Sequence, residues 1–335
     1  MSTVGNVDPR DIMSLSTAYW GSQTLLTANR LKLFDALADG ALTAEELADK
    51  LELNSRSTTL FLNACVALGL CEKDSERYSN SASSAAFLTS TSPASLANAI
   101  SYSDDLYATW GDLEQSLREG TPPKRAETYL GEDEEQTRHF VYGMHNRAMA
   151  IGRALTGMVD LSGRKRMLDV GGGPGTYAAL LTEQFPGLEA DVLELKGVAA
   201  VARTILQDMG AADRVTMIDG DYHSSDFGSG YDVVLMSGMF HRETADNCRV
   251  LIGKASNALE PGGLLVINDV FADAGGAGPA FATLFGLNMM LTAPDGGVHA
   301  DDDVAAWMRD AGFDSIDRAS FPPPMPHRIV TGSKT

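Results

Sequence analysis

The sequence has 335 residues, 44% hydrophobic and 21% charged, enough apolar material for packed cores in about two domains and too little charge for a disordered chain. Its 26 Lys and Arg stand against 45 Asp and Glu, a formal net charge of −19, which argues against nucleic acid or an anionic membrane as the main partner because phosphate binding requires clustered cations. Cys65, Cys71 and Cys248 make neither a disulfide framework nor a Cys-x-x-Cys pair, no apolar run approaches the ~18 residues of a membrane span, and MSTVGNVDPRD lacks a signal-peptide apolar region, so the expectation is a soluble cytoplasmic protein.

Residues 11–155 read as helical. Ile12, Leu15, Tyr19, Leu25, Leu26, Leu33, Phe34 and Leu37 recur at helical spacing, with Gly21 as a candidate break. Thr43 followed by Glu46 is a capping-box pattern that opens a short helix, and Asn54-Ser55 opens a second. ERYSNS then reads as a small wing, giving a winged-helix outline over residues 43–80. That stretch holds four basic residues (Lys50, Arg56, Lys73, Arg77) and seven acidic ones (Glu45, Glu46, Asp49, Glu52, Glu72, Asp74, Glu76). A DNA reader needs several cations on its recognition helix, so a structural or dimer-forming role is preferred over a ligand-sensing transcription factor. GTPPKRAETYLGEDEEQ is expected to be an exposed loop. In the helix that follows, Arg138, Tyr142, His145 and Met149 share one face, which either lines a pocket or is exposed.

From about residue 164 strands and helices alternate. RKRMLDVGG, LEADVLEL, RVTMIDGDY, YDVVLMSGMF and GLLVINDVF are continuous apolar strands, with amphipathic helices and a final strand completing a parallel sheet covered on both faces. The fold class is α/β, with domains at 1–155 and 156–335.

The first strand runs into Asp169-Val170-Gly171-Gly172-Gly173-Pro174-Gly175. Neither the dinucleotide fingerprint nor the P-loop fits, because the third glycine position falls on Thr176 or Ala178 and no Gly-Lys-Ser/Thr follows. An acid at this strand end suits a cation better than a pyrophosphate. S-adenosylmethionine (SAM) carries a sulfonium and an ammonium group and no phosphate. Glu194, ending the second strand, is placed to accept from ribose hydroxyls, and Gly220-Asp221, ending the third, to meet an adenine amino group. No His, Cys and carboxylate cluster has metal-ligand spacing, so no metal is expected.

The motifs LDVGGGPGTYAALL, VLEL, RVTMIDGDY, YDVVLMSGMFHRE, ALEPGGLLVINDVF and TAPDGGVHADDDVAAWMRDAGF resemble the SAM-dependent small-molecule O-methyltransferases of the plant caffeate and acetylserotonin type, in their bacterial branch. The resemblance covers nearly the whole chain. It implies a C-terminal Rossmann-like methyltransferase domain, an N-terminal all-α winged-helix-like dimerisation domain, and a homodimer whose Tyr19 and Trp20 help close the partner's pocket. The implied cofactor set is Asp169, Gly171, Gly173, Gly175, Glu194, Leu195, Gly220, Asp221, Tyr222 and Ser237. Transfer of the SAM methyl releases S-adenosylhomocysteine. His241 matches the family's general base, and Asp269 the first of two glutamates that flank it. Tyr142, Met144, His145, Arg147, Arg242, Phe285, Asn288, Met289 and His299 are the candidate substrate contacts, beneath an apolar roof from Phe281 to Met290.

The chain departs from the family pattern in three places. The second glutamate falls at His299, Arg242 and Glu243 replace the acidic residue and its follower after the base, and Ser237 replaces a lysine. A half-preserved base pair leaves two alternatives to O-methylation. One is S-methylation of a small thioether or thiol acid such as 4-methylthio-2-hydroxybutyrate, in dimethylsulfoniopropionate synthesis, which needs little base. The other is SAM binding without methyl transfer.

Overall fold

The computed structural model describes residues 8–123 and 126–335. It contains two compact units that divide between Asp105 and Leu106.

The first unit opens with α1 (Arg10–Thr17), α2 (Tyr19–Arg30) and α3 (Leu33–Ala36). The first break falls at Ala18, and Gly21 lies inside α2 rather than ending a helix. Next come β1 (Leu42–Thr43), α4 (Ala44–Lys50), α5 (Ser55–Ala67), the hairpin β2 (Cys71–Asp74) and β3 (Arg77–Asn80), α6 (Ala82–Phe87) and α7 (Ala97–Gly111), whose last residues belong to the second unit. The strands order β1-β3-β2, so α4, α5 and the hairpin make the winged-helix outline. Thr43 Oγ1 accepts from the Glu46 amide at 3.1 Å, and Glu46 Oε2 accepts from the Thr43 amide at 2.7 Å. Asn54 caps α5 through the Ser57 amide at 3.1 Å. Leu33, Phe34, Leu47, Leu62, Cys65 and Tyr78 form the core. Thr43→Ala removes one half of the capping box and is expected to cost about 1 kcal/mol locally, read as faster amide exchange over α4; unchanged exchange would show the cap to be redundant.

The second unit adds α8 (Leu113–Glu119) and the long helix α9 (Glu134–Thr156), then β4 (Arg166–Val170), α10 (Thr176–Gln184), β5 (Glu189–Glu194), α11 (Lys196–Asp208), β6 (Val215–Asp219), β7 (Tyr231–Ser237), α12 (Ala245–Ala258), β8 (Leu259–Asp269), α13 (Ala280–Met290), α14 (Asp301–Asp310), β9 (Phe313–Ser320) and β10 (Arg328–Lys334). The division at residue 105 precedes the boundary expected near 155 because α9 packs on α10: a Cβ on Gly152 would lie 2.6 Å from Leu180 and 3.2 Å from Tyr177. A helical period identifies a buried face but does not name its partner.

The seven strands order β6-β5-β4-β7-β8-β10-β9. Strands β4 to β8 are parallel, and β10 runs antiparallel to β8 and β9. The expected final strand is therefore two strands joined by a proline-rich loop, and the sheet is mixed. β8 also begins earlier than expected, in LEPGG, where Pro261 cannot continue a helix. Leu168, Val170, Val234, Met236 and Ile267 pack on one face of the sheet. Met167, Val192, Val233, Leu235 and Val266 pack on the other. Strand order reverses between β4 and β7, and in such sheets a crevice opens there, outside the strand carboxyl ends.

Candidate active site

Beyond β4 the chain turns through Gly171–Gly175 into α10. Gly171, Gly173 and Gly175 take φ of 64°, 55° and 71°, values that side chains with a Cβ rarely adopt. Gly172 is required for a different reason: a Cβ there would lie 2.6 Å from Asp169 Cγ and 2.7 Å from Val192 Cγ1. The turn thus rests on Asp169, which is fully buried with no hydrogen-bond partner among the described residues on either carboxylate oxygen. Burial, and secondarily the charge of Glu194, pushes its carboxyl up to about 8. An orphaned buried carboxylate calls for a cation. The sulfonium and ammonium groups of SAM meet that need, and a phosphate would not, so these residues fit SAM.

Glu194 ends β5 and is 8% exposed. Its Oε2 accepts from the Gly173 amide at 2.8 Å and its Oε1 from the Leu195 amide at 2.7 Å. Burial raises its carboxyl in spite of these bonds. Each oxygen keeps a lone pair, which is what two ribose hydroxyls need. Leu195 caps α11, and the Gly220 amide donates to the Glu194 carbonyl at 2.9 Å. Asp221 Oδ1 accepts from the His223 amide at 2.9 Å. Tyr222 lies under Gly171, where an added Cβ would be 3.3 Å from its ring, and it donates to Glu243 Oε1 at 2.6 Å. Ser237 is held within the sheet: Asn268 Nδ2 of the adjacent β8 donates to its Oγ at 2.8 Å.

His241 sits in a 3-10 turn after β7, Phe240–Arg242. Its Nδ1 lies 2.7 Å from Asp269 Oδ1, and its backbone amide donates to Asp269 Oδ2 at 3.2 Å. The Val270 amide also donates to Oδ1, at 2.7 Å. Burial pushes the Asp269 carboxyl upward, but the His241 charge and these bonds outweigh it, so the group titrates below its usual 3.8. An ionised Asp269 is acceptor-only, so in a neutral His241 the proton sits on Nδ1 and Nε2 is left as an acceptor. Phe285 of α13 meets the imidazole edge-on at 4.9 Å and stacks on Phe281 at 6.2 Å.

The other sequence candidates lie in different surroundings. Asn288 Oδ1 accepts from Trp110 Nε1 at 2.9 Å, and Met289 is buried. His145 Nδ1 lies 2.8 Å from Thr176 Oγ1, so the ring stands by the glycine turn, and burial lowers its pKa. Tyr142 packs toward Val198, Val201 and Ile205 and pairs with Arg138, while Met144 and Arg147 are half-buried on α9. Arg242 reaches Tyr129 rather than Phe285, with both Nη atoms 3.4 Å from the Tyr129 hydroxyl. His299 donates from Nε2 to the Glu243 carbonyl at 2.9 Å and lies edge-on to Trp307 at 5.2 Å.

Two residues of the site were not among the sequence candidates. Glu243, 5% exposed, joins Tyr222, His223 and Asn247. Tyr129 lies in the stretch expected to be an exposed loop, yet Ala126–Tyr129 forms a 3-10 turn and Tyr129 is only 2% exposed. An aromatic beside Leu130 in a polar run was the available signal. Among the described residues, no group of three or more His, Cys, Asp or Glu is placed to hold a metal ion, and no helix is long and apolar enough to cross a membrane.

The family model for an O-methyltransferase domain matches residues 110–314, and that for an O-methyltransferase dimerisation domain matches residues 13–90. The chain belongs to the O-methyltransferase family. This O-methyltransferase is 30% identical to 3-hydroxy-5-methyl-1-naphthoate 3-O-methyltransferase of Streptomyces sahachiroi over 330 residues, 97% of this chain and 95% of the relative. It is 34% identical to rat acetylserotonin O-methyltransferase over 298 residues, 85% of this chain and 68% of the relative. The crystal structure of human N-acetylserotonin methyltransferase in complex with SAM shares the fold, with a TM-score of 0.88 at 23% identity over 100% of this chain and 99% of that one.

Proposed function

We propose that this O-methyltransferase moves a methyl group from SAM to a hydroxyl of a small, flat molecule seated beside His241 and the apolar face of α13. The observation that carries the reading is the His241–Asp269 pair, its tautomer set by a buried carboxylate, under Phe285 and beside the crevice over β4. SAM, when bound, supplies an electrophilic methyl on a sulfonium. Asp169 holds positive charge and Glu194 the ribose, while the peptide groups of Gly171–Gly175 allow close approach. His241 Nε2 takes the acceptor's hydroxyl proton, and Asp269 stabilises the resulting imidazolium. A phenol with a pKa of about 10 is mostly neutral at pH 7 and needs this help. Phe285 and Met289 shield this side of the site and favour a planar acceptor.

The functional division remains at about residue 155, with 1–155 serving dimerisation and substrate cover and 156–335 carrying the cofactor site. A homodimer accounts for α1, which buries no residue and leaves Ile12 72% and Leu15 77% exposed, next to the exposed Tyr19 and Trp20. Its acidic winged-helix region does not suit nucleic acid, and three free, buried cysteines suit a cytoplasmic location.

Incubation with methyl-labelled SAM and a panel of phenols and thioether acids tests the reaction. Label is expected on phenolic oxygen. Label on thioether sulfur alone would replace the reading with S-methylation, and SAM binding with no turnover across the panel would remove methyl transfer. Light scattering is expected to give a dimer for the wild type and a monomer for Leu15→Glu/Trp20→Glu; a monomeric wild type would refute the homodimer.

A further inference from the structure

Residues 126–131 form a strap between segments that follow two strands of the sheet. At one end Gly131 meets Gly197, the second residue of α11, so closely that a Cβ on Gly197 would lie 2.5 Å from Gly131 Cα. Nearby, Tyr129 donates its hydroxyl to the Thr292 carbonyl beyond α13 at 2.7 Å. The same oxygen accepts from both Nη atoms of Arg242 at 3.4 Å, and the ring tilts onto Phe140 at 4.9 Å. Gly197 follows β5 and Arg242 follows β7, and β4 lies between those two strands. The strap and its Tyr129 side chain therefore link the segments beyond β5 and β7, on either side of β4, which carries Asp169. The charge of Arg242 acts on both Glu194 and Tyr222, consistent with a guanidinium facing this crevice.

We propose that Tyr129 and Arg242 latch the 126–131 strap across the cofactor cleft, and that cofactor exchange waits on opening of this latch. The inference rests on the cofactor site proposed above. The latch contacts are made by the chain's own side chains and backbone, and their release is the step on which cofactor entry and departure wait in this proposal. Tyr129 is a positioning residue here: it holds Arg242 and the strap together, at a distance from the transferred methyl.

Two variants open the strap by different means. Tyr129→Phe keeps the ring packing and removes the donor to Thr292 and the acceptor for Arg242. Gly197→Ala places a better helix former in α11 but drives its methyl into the Gly131 backbone. Dissociation of S-adenosylhomocysteine, followed by rapid mixing with excess SAM, is expected to quicken about tenfold in Tyr129→Phe, the scale of one or two lost hydrogen bonds, and to quicken also in Gly197→Ala, where the clash pushes the strap away. Amide exchange over residues 126–133 is expected to rise in parallel. Wild-type dissociation rates in both folded variants would overturn the latch. Asp169→Ala keeps the two assignments apart. If it binds S-adenosylhomocysteine as tightly as the wild type, the cleft is misplaced and the latch falls with it. If it loses binding while the strap variants exchange at the wild-type rate, the latch alone fails.

Discussion

His241→Ala is expected to lower the rate of phenol methylation about 10²–10⁴-fold without loss of SAM affinity, because in the proposed reaction the imidazole contacts the acceptor and the carboxylates hold the cofactor. Asp269→Asn is expected to give a comparable loss with the ring still present. An amide in place of the carboxylate no longer requires the Nδ1–H tautomer and no longer stabilises the imidazolium. Steady-state rates and calorimetric SAM binding on the same preparations separate the two effects. A His241→Ala enzyme that methylates a phenol at the wild-type rate would remove the general base from the reaction. The Asp269 carboxyl titrates below 3.8 in the folded state, a depressed value. The stability contributed by its pairing is therefore present above 3.8 and is lost as pH falls through the folded value, so acid inactivation through this group belongs below pH 3.8.

Asp169→Asn is expected to act in opposite directions on stability and on binding. The folded carboxyl is raised to about 8 from 3.8. A raised carboxyl favours the folded state fully below 3.8, and that contribution is lost as pH rises through about 8. Above that point the wild-type protein carries an unpaired buried charge, at a cost on the order of a few kcal/mol. The variant escapes this cost. Without cofactor it is expected to melt several degrees higher than the wild type at pH 9, with the gap closing toward acid. SAM affinity should fall in the variant, because an amide does not neutralise the ammonium or sulfonium. In the wild type, SAM binding is expected to release a proton near neutral pH and to tighten as pH rises toward 8, which calorimetry in buffers of different ionisation enthalpy detects. Parallel pH–melting curves for the two proteins would show that Asp169 does not change charge. A destabilising buried group kept at the proposed cofactor site would be the usual conflict between stability and function.

The features legible in the sequence are those whose causes are local. The capping box at Thr43, the Asn54 cap and the glycine turn after β4 depend on residues within a few positions of one another. Continuous apolar runs between amphipathic helices require a covered parallel sheet, and acids at three strand ends point to a cation without a phosphate. The proximity of His241 and Asp269 was available only through the family resemblance, since β7 and β8 must pair in parallel before residues 28 apart can touch. Sulfur as the methyl acceptor drew no support from the relatives, whereas the O-methyltransferase reading did.

Other features depended on long-range contacts. Tyr129 stood in a polar run because its partners Arg242 and Thr292 are 113 and 163 residues away. Arg242 turned toward Tyr129, and His145 toward Thr176, for a similar reason: side chains settle where a partner satisfies them, and the partner belongs to another element. The period of α9 announced a buried face, but only packing against α10 and α11 placed that helix with the second unit. Charge shows the same division. A net charge of −19 follows from composition alone. Which of those carboxylates lies buried without a hydrogen-bond partner among the described residues, its proton affinity raised, was decided by the fold that removes Asp169 from water.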